Sequence, residues 1–326
     1  MRIVSLLPSA TEIACALGLG EHLVGVSHEC DHPPELARRV GPELPVLTAS
    51  ILDAGLSPKA IDTAVHEAQL EGRPIYSVDG ERLEALAPEL ILTQGVCSVC
   101  AVTPATIETA LQLIPVEVLG RAREARVLSL AAKTFEGVLA DIQAVAEAAG
   151  VVERGRALVA SLRARWAAIA AGGPVAPPAS APAGREQCTA FFLEWPDPPW
   201  NAGHWVPEQL AAAGVVDAFG EVGGASRPLP WSAIAAADPD WILAGACGYD
   251  LATNLTHARA LLERPEVQAL RAVREGRVWA LDANAMFSRP APRLVEGAAC
   301  LRAIFTGQAD ALPEGFAAPL LPSLMV

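Results

Sequence analysis

The stretch Arg2-Ile-Val-Ser-Leu-Leu-Pro-Ser-Ala-Thr-Glu-Ile-Ala-Cys-Ala-Leu-Gly-Leu-Gly-Glu-His-Leu-Val-Gly-Val-Ser27 decides the fold class. Residues 2–7 form a short apolar run that reads as a strand. Pro8-Ser9-Ala10-Thr11-Glu12 then sets a serine three positions before a glutamate, the capping-box spacing, so a helix is expected with Ser9 as its N-cap. Gly18-Leu19-Gly20 stops that helix, and residues 23–27 form a second strand. Strand, helix, strand in so short a span implies parallel strands with flanking helices.

Working outward, further strands are expected at 75–78, 89–93 and 116–119. From residue 126 to 149, Leu128, Ala131, Phe135, Val138, Leu139, Ile142, Val145 and Ala149 recur at three- and four-residue spacing, which predicts one long amphipathic helix. A second helix is expected at 152–169. Residues 171–184 are dense in Pro, Ala and Gly and read as a flexible surface connection. The α/β grammar then repeats, with strands at 188–193, 241–244 and 277–281 and helices near 207–213 and 292–305. The expected organisation is an N-terminal α/β lobe (1–124), a connecting long helix (125–150) and a C-terminal α/β lobe (151–326).

Composition bounds the function. The chain has 326 residues, 52% hydrophobic and 19% charged, which is ample for two cores and excludes disorder. Its net charge of −13, with Lys59 and Lys133 the only lysines, opposes the counterion release on which nucleic-acid binding depends. No apolar run reaches the roughly 20 residues needed to span a bilayer. The N-terminal residues pattern as a strand rather than as an export signal, and seven cysteines suit a reducing compartment. A cytoplasmic location is therefore expected; a removed leader would make it periplasmic.

Three segments put unusual residues after predicted strands, where open α/β sheets bind ligands. The first is Ser27-His28-Glu29-Cys30-Asp31-His32-Pro33. The second, Thr93-Gln94-Gly95-Val96-Cys97-Ser98-Val99-Cys100, sets two thiols three residues apart. Thiolates and imidazoles suit soft or borderline metals, so Cys30, Cys97, Cys100 and His28 are candidate ligands for zinc or iron. The same C-x-x-C also fits a redox site, and a metal- or redox-dependent enzyme built on Cys30, Cys97 and Cys100 is the alternative function. The third segment, Glu194-Trp-Pro-Asp-Pro-Pro-Trp-Asn-Ala-Gly-His-Trp205, gathers Trp195, Trp200 and Trp205 in a loop. Large rings with one polar edge suit a flat, partly apolar ligand. A G-x-S-x-G elbow, a phosphate loop with its lysine and an H-E-x-x-H pair are all lacking, so a non-catalytic protein is expected.

The opening residues 2–12 and 16–27, Glu81-Arg-Leu-Glu-Ala-Leu-Ala-Pro-Glu-Leu-Ile-Leu92, Ala237-Asp-Pro-Asp-Trp-Ile-Leu243 and Asp282-Ala-Asn-Ala-Met-Phe-Ser-Arg-Pro-Ala-Pro-Arg-Leu-Val-Glu-Gly297 resemble the cobalamin- and iron-siderophore-binding proteins that serve ATP-driven importers. The resemblance covers nearly the whole chain. It implies a class III periplasmic-binding-protein-like fold of two Rossmann-like α/β lobes joined by one long helix, with a corrinoid such as cobalamin, or a related small-molecule metal chelate, held in the cleft. Carried onto this sequence, the cleft would be lined by Pro8, Ser9, the loop Gln94 to Cys100, the Trp195 to Trp205 loop, Trp231, Gly245 to Tyr249, and Asp282 to Phe287. His28 and Glu29 are added from the first segment. The family also presents one glutamate per lobe to importer membrane subunits. Glu81 matches the first, whereas Ser232 stands in place of the second, which argues against importer docking.

Overall fold

The computed structural model describes residues 1–53, 55–94 and 124–320, and these divide into two compact units. The first comprises residues 1–132 and 136–161, the second residues 133–135 and 162–326. Among the described residues, no helix is long and apolar enough to cross a membrane.

The first unit is built on a four-stranded parallel sheet of order β2-β1-β5-β6, from β1 (Ile3–Ser5), β2 (Leu23–Val26), β5 (Leu90–Gln94) and β6 (Arg126–Leu130). A separate antiparallel ribbon pairs β3 (Thr48–Ser50) with β4 (Tyr76–Val78). Val4, Leu6, Leu47, Leu83 and Ile91 pack as one apolar cluster over the sheet. The helix Pro8–Ala16 follows β1, and its start differs from the capping-box expectation. Pro8 takes the first turn, where its missing N–H costs nothing, and Leu7 occupies the cap position without a side-chain bond. Ser9 is thus inside the helix. The stop behaves as its glycine requires: Gly18 has φ 72°, and the Gly18 and Leu19 N–H groups donate to the Cys15 and Ala14 carbonyls.

The expected helix at 126–149 is two elements. Arg126–Leu130 is a strand whose Val127 and Leu128 lie in register with Ile91 and Leu92, so it satisfies the backbone groups along β5. Apolar residues at 128, 131 and 135 match a helix period by coincidence. The Asp141 carboxylate accepts from the Ala132 N–H at 3.0 Å, which turns the chain from strand into the helix Phe135–Ala148. A second helix, Val152–Ala170, follows. Of the remaining strand expectations, that at 116–119 lies outside the described residues.

The second unit holds a six-stranded mixed sheet of order β12-β11-β10-β7-β8, with β9 also on β7. Its strands are β7 (Thr189–Pro196), β8 (Pro199–Asn201), β9 (Val216–Asp217), β10 (Trp241–Ala244), β11 (Val278–Leu281) and β12 (Ala317–Pro319). β7, β10 and β11 are parallel, while β8 turns back on β7 as a hairpin. Phe191, Leu193, Ile234, Ile242, Val278 and Ala280 belong to its core. Residues 171–184 form no helix or strand, yet they are not loose. The Ser180 hydroxyl donates to Glu275 at 2.7 Å, the Arg302 guanidinium donates to the Gly172 and Gly173 carbonyls, and the Val175 N–H reaches the Gly214 carbonyl.

Each sheet reverses its build direction once. In the first, the chain passes from β1 to β2 on one side, and β5 is then laid on the other. In the second, β8 and β9 flank β7 on one side and β10 is laid on the other. Open α/β sheets take ligands at such reversals, which here fall at the carboxyl ends of β1 and β5, and of β7 and β10.

Candidate functional site

At the second unit's reversal, Trp195 ends β7 and Tyr249 sits in the loop after β10, their ring centroids 5.3 Å apart with planes tilted by 36°. His257 stacks on Tyr249 at 5.0 Å and 22°. The three half-buried rings run in contact from β7 through the loop after β10 to the helix Leu251–Leu261. Trp200 stands across the hairpin from Trp195, and its Nε1 is buried without a hydrogen-bond partner. The loop can approach so closely because Gly245 has no side chain: a Cβ there would lie 2.4 Å from the Phe192 ring.

Other residues expected at the site serve beneath these rings. Trp205 is only 6% exposed, and its Nε1 donates to the Phe287 carbonyl at 2.7 Å, so it is a buttress and not an exposed loop ring. Phe287 is itself buried and packs on Phe192 at 5.2 Å. Asp282 accepts from the Ala285 N–H as the N-cap of a short helix, and burial raises its carboxyl above the usual range. Trp231 opens the helix Trp231–Ala237 and packs against the core, with the Arg264 guanidinium 5.9 Å over its ring.

A buried carboxylate fastens the aromatic loop. Glu194 accepts from the Ser226 hydroxyl and from the Gly203 N–H at 3.1 Å. Desolvation raises its pKa, opposed by those two bonds and reinforced by Asp217. Asp217, also raised by burial, caps its own turn by accepting from the Phe219 and Gly220 N–H groups.

In the first unit, Pro8 and the 2%-exposed Ser9 follow β1, and the half-buried Gln94 ends β5. His28 and Glu29 follow β2. His28 Nδ1 lies 2.6 Å from Thr48 Oγ1, which also accepts from the His28 N–H, and the imidazole meets the Tyr76 ring at 5.4 Å. Its Nε2 is 3.4 Å from Glu29 Oε1, an ion-pair distance only if the ring is protonated. Cys30 is buried with its Sγ 3.0 Å from Thr11 Oγ1. The nearby Cys15 thiol is pushed up to about 11, first by burial and then by Cys30. Among the described residues no group of three His, Cys, Asp or Glu side chains could hold a metal ion. Cys97 and Cys100, on which the metal and redox readings rest, lie outside the described residues.

Sequence reasoning missed Thr48, Tyr76, His257 and Ser226. They come from elements distant in sequence and carry no motif; only the alternation of strands and helices hinted that their segments would meet.

A family model described as periplasmic binding protein matches residues 3–285. No curated protein matches this sequence. Among solved structures, the chain is similar to the periplasmic heme-binding protein RhuT from Roseiflexus sp. RS-1, at 26% identity over 94% of this chain and 98% of that one, with a TM-score of 0.64. It is also similar to the heme-binding protein HutB of Vibrio cholerae, at 20% identity, covering 93% and 98%, with a TM-score of 0.65. The vitamin B12 binding protein BtuF of Vibrio cholerae aligns at 21% identity, covering 95% and 98%, with a TM-score of 0.56. The last two establish fold alone.

Proposed function

The chain belongs to the periplasmic binding protein family, whose members bind solutes without transforming them, and we propose that its own solute is a planar metal chelate of the corrinoid or porphyrin class. The observation that carries this reading is the run of rings from Trp195 through Tyr249 to His257 at the strand ends of the second sheet. A flat macrocycle gains contact area and stacking energy against such a surface without demanding a particular hydrogen-bond pattern. The heme-binding relative at 26% identity supports the porphyrin end of the class. The first unit's own candidate ligand-binding residues are Pro8, Ser9, His28, Glu29 and Gln94.

The partner is thus a small molecule. Glu81 is exposed in the first turn of the helix Gly80–Leu86, as importer docking would need, but Ser232 offers no carboxylate, so we read docking as weakened. The family description points to the periplasm and lends no support to the cytoplasmic location expected from the N-terminal pattern; cell fractionation separates the two.

The experiment is a titration of wild type and Trp195→Ala with cobinamide and ferric protoporphyrin, followed by tryptophan fluorescence. Losing most of one aromatic contact costs about 1.5–3 kcal/mol, roughly 10- to 100-fold in affinity. Equal affinity in the two proteins would remove the aromatic surface from the site.

A further inference from the structure

The loop after β10 enters the helix Leu251–Leu261 through a cap that puts Tyr249 in a defined place. Asp250 accepts from the Thr253 N–H at 2.8 Å as the N-cap, so Tyr249 is the residue just before it. A large side chain there commonly packs on the fourth helical position and fixes the angle at which the chain enters. In this helix that position is Asn254, a polar residue only 2% exposed.

Asn254 holds backbone instead. Its Oδ1 accepts from the Ala246 N–H at 2.9 Å, and its amide donates to the Leu281 carbonyl at 2.9 Å and to the Tyr249 carbonyl at 3.2 Å. Both amide hydrogens and the oxygen are thus engaged. The Asn284 N–H donates to the same Tyr249 carbonyl at 3.2 Å, and the Tyr249 N–H donates to the Ala246 carbonyl at 3.1 Å. These bonds fix the backbone of Tyr249, and none of them reaches its ring.

The ring is met one turn further along. Asn254 and His257, three residues apart, share a helix face. The His257 imidazole stacks on Tyr249 with centroids 5.0 Å apart and planes 22° apart, whereas Trp195 meets the same ring at 36°. A tyrosine's second torsion is broad, so a near-parallel neighbour decides the plane that the ring keeps. Burial lowers the His257 pKa, which leaves the imidazole neutral at physiological pH and makes the contact one of stacking rather than charge.

We propose that His257 is a positioning residue of the chelate site: its stack sets the plane that Tyr249 presents beside Trp195, and with it the run of rings that a macrocycle meets. The assignment rests on the chelate-binding reading above and gives His257 no bond to the metal.

The test compares wild type, His257→Leu and His257→Phe by melting, by near-ultraviolet circular dichroism of the ligand-free protein, and by affinity for cobinamide, ferric protoporphyrin IX and metal-free protoporphyrin. Leucine favours a helix and removes the ring, while phenylalanine keeps a ring and cannot ligate a metal. His257→Leu should change the aromatic dichroism and weaken each of these compounds that wild type binds by roughly three- to tenfold, the worth of one stacked pair, while melting within about 4 °C of wild type. His257→Phe should return the dichroism and bring affinity to within about twofold of wild type. Undiminished affinity in His257→Leu, or no recovery in His257→Phe, overturns the assignment. So does a loss confined to the iron form, which would make His257 a metal ligand, or a larger fall in melting temperature, which would make it a support of the fold. If wild type binds none of the three compounds, the chelate-binding reading falls and the assignment falls with it.

Discussion

Glu194 shows how one carboxylate can hold a binding loop while working against stability. Desolvation raises its folded pKa above the ordinary 4.5, so the native state holds the proton more tightly than the unfolded chain does. A carboxyl raised in this way favours the folded state in acid, and the benefit is lost as pH climbs from the unfolded value through the raised folded one. The charged form is the costly one, and the group is tolerated because its two oxygens tie Gly203 and Ser226 together. Glutamine keeps an acceptor for the Gly203 N–H and a donor for the Ser226 oxygen. Glu194→Gln is therefore expected to raise the melting temperature at pH 7, with the difference from wild type shrinking toward pH 4. Melting curves across that range check it, and a lower Tm at pH 7 would contradict the account. Composition reads tryptophans 195, 200 and 205 as one ring-rich loop, whereas Trp195 and Trp200 stand on the paired strands β7 and β8. The division into that pair and the buried Trp205 was not legible, because it depends on the Phe287 carbonyl 82 residues away.

At the scale of elements, the opposite sign of pH dependence comes from the amino end of β10. Asp240 is fully buried and accepts from Arg271 at 2.7 Å, Arg185 at 3.3 Å and the Thr189 N–H at 2.9 Å. Burial alone would raise its pKa, but these donors outweigh it and leave it lowered. Its stabilising contribution is present above the ordinary carboxylate range and is lost as pH falls through the lowered folded value. The group clamps the helix at Arg271, the loop at Arg185 and the strands β7 and β10. Asp240→Asn removes the charge that two guanidiniums need, and a broken buried pair costs about 3–5 kcal/mol. Urea unfolding at pH 7 measures it; a loss under about 1 kcal/mol would mean that the network stabilises no more than an exposed pair does. The parallel strands were legible as elements because buried parallel strands read as apolar runs, as at Ile91 and Leu92. The strand at Arg126–Leu130 was hidden, since its pairing with β5 is a tertiary fact that helical spacing in the same residues masks.

At the scale of the molecule, an acidic chain carries an α/β core in each of two units, and each sheet reverses direction once. That reversal places residues from distant segments at one strand edge and explains why the most chemically distinctive stretches of sequence all follow strands. The central claim is that the ring surface on the second sheet takes a planar metal chelate. The most direct measurement is a visible absorbance titration of cobinamide and of ferric protoporphyrin with the purified protein. The account predicts a saturable band shift with at least one of them, ending at one chelate per chain. Spectra that remain the sum of free chelate and protein at every ratio would contradict it.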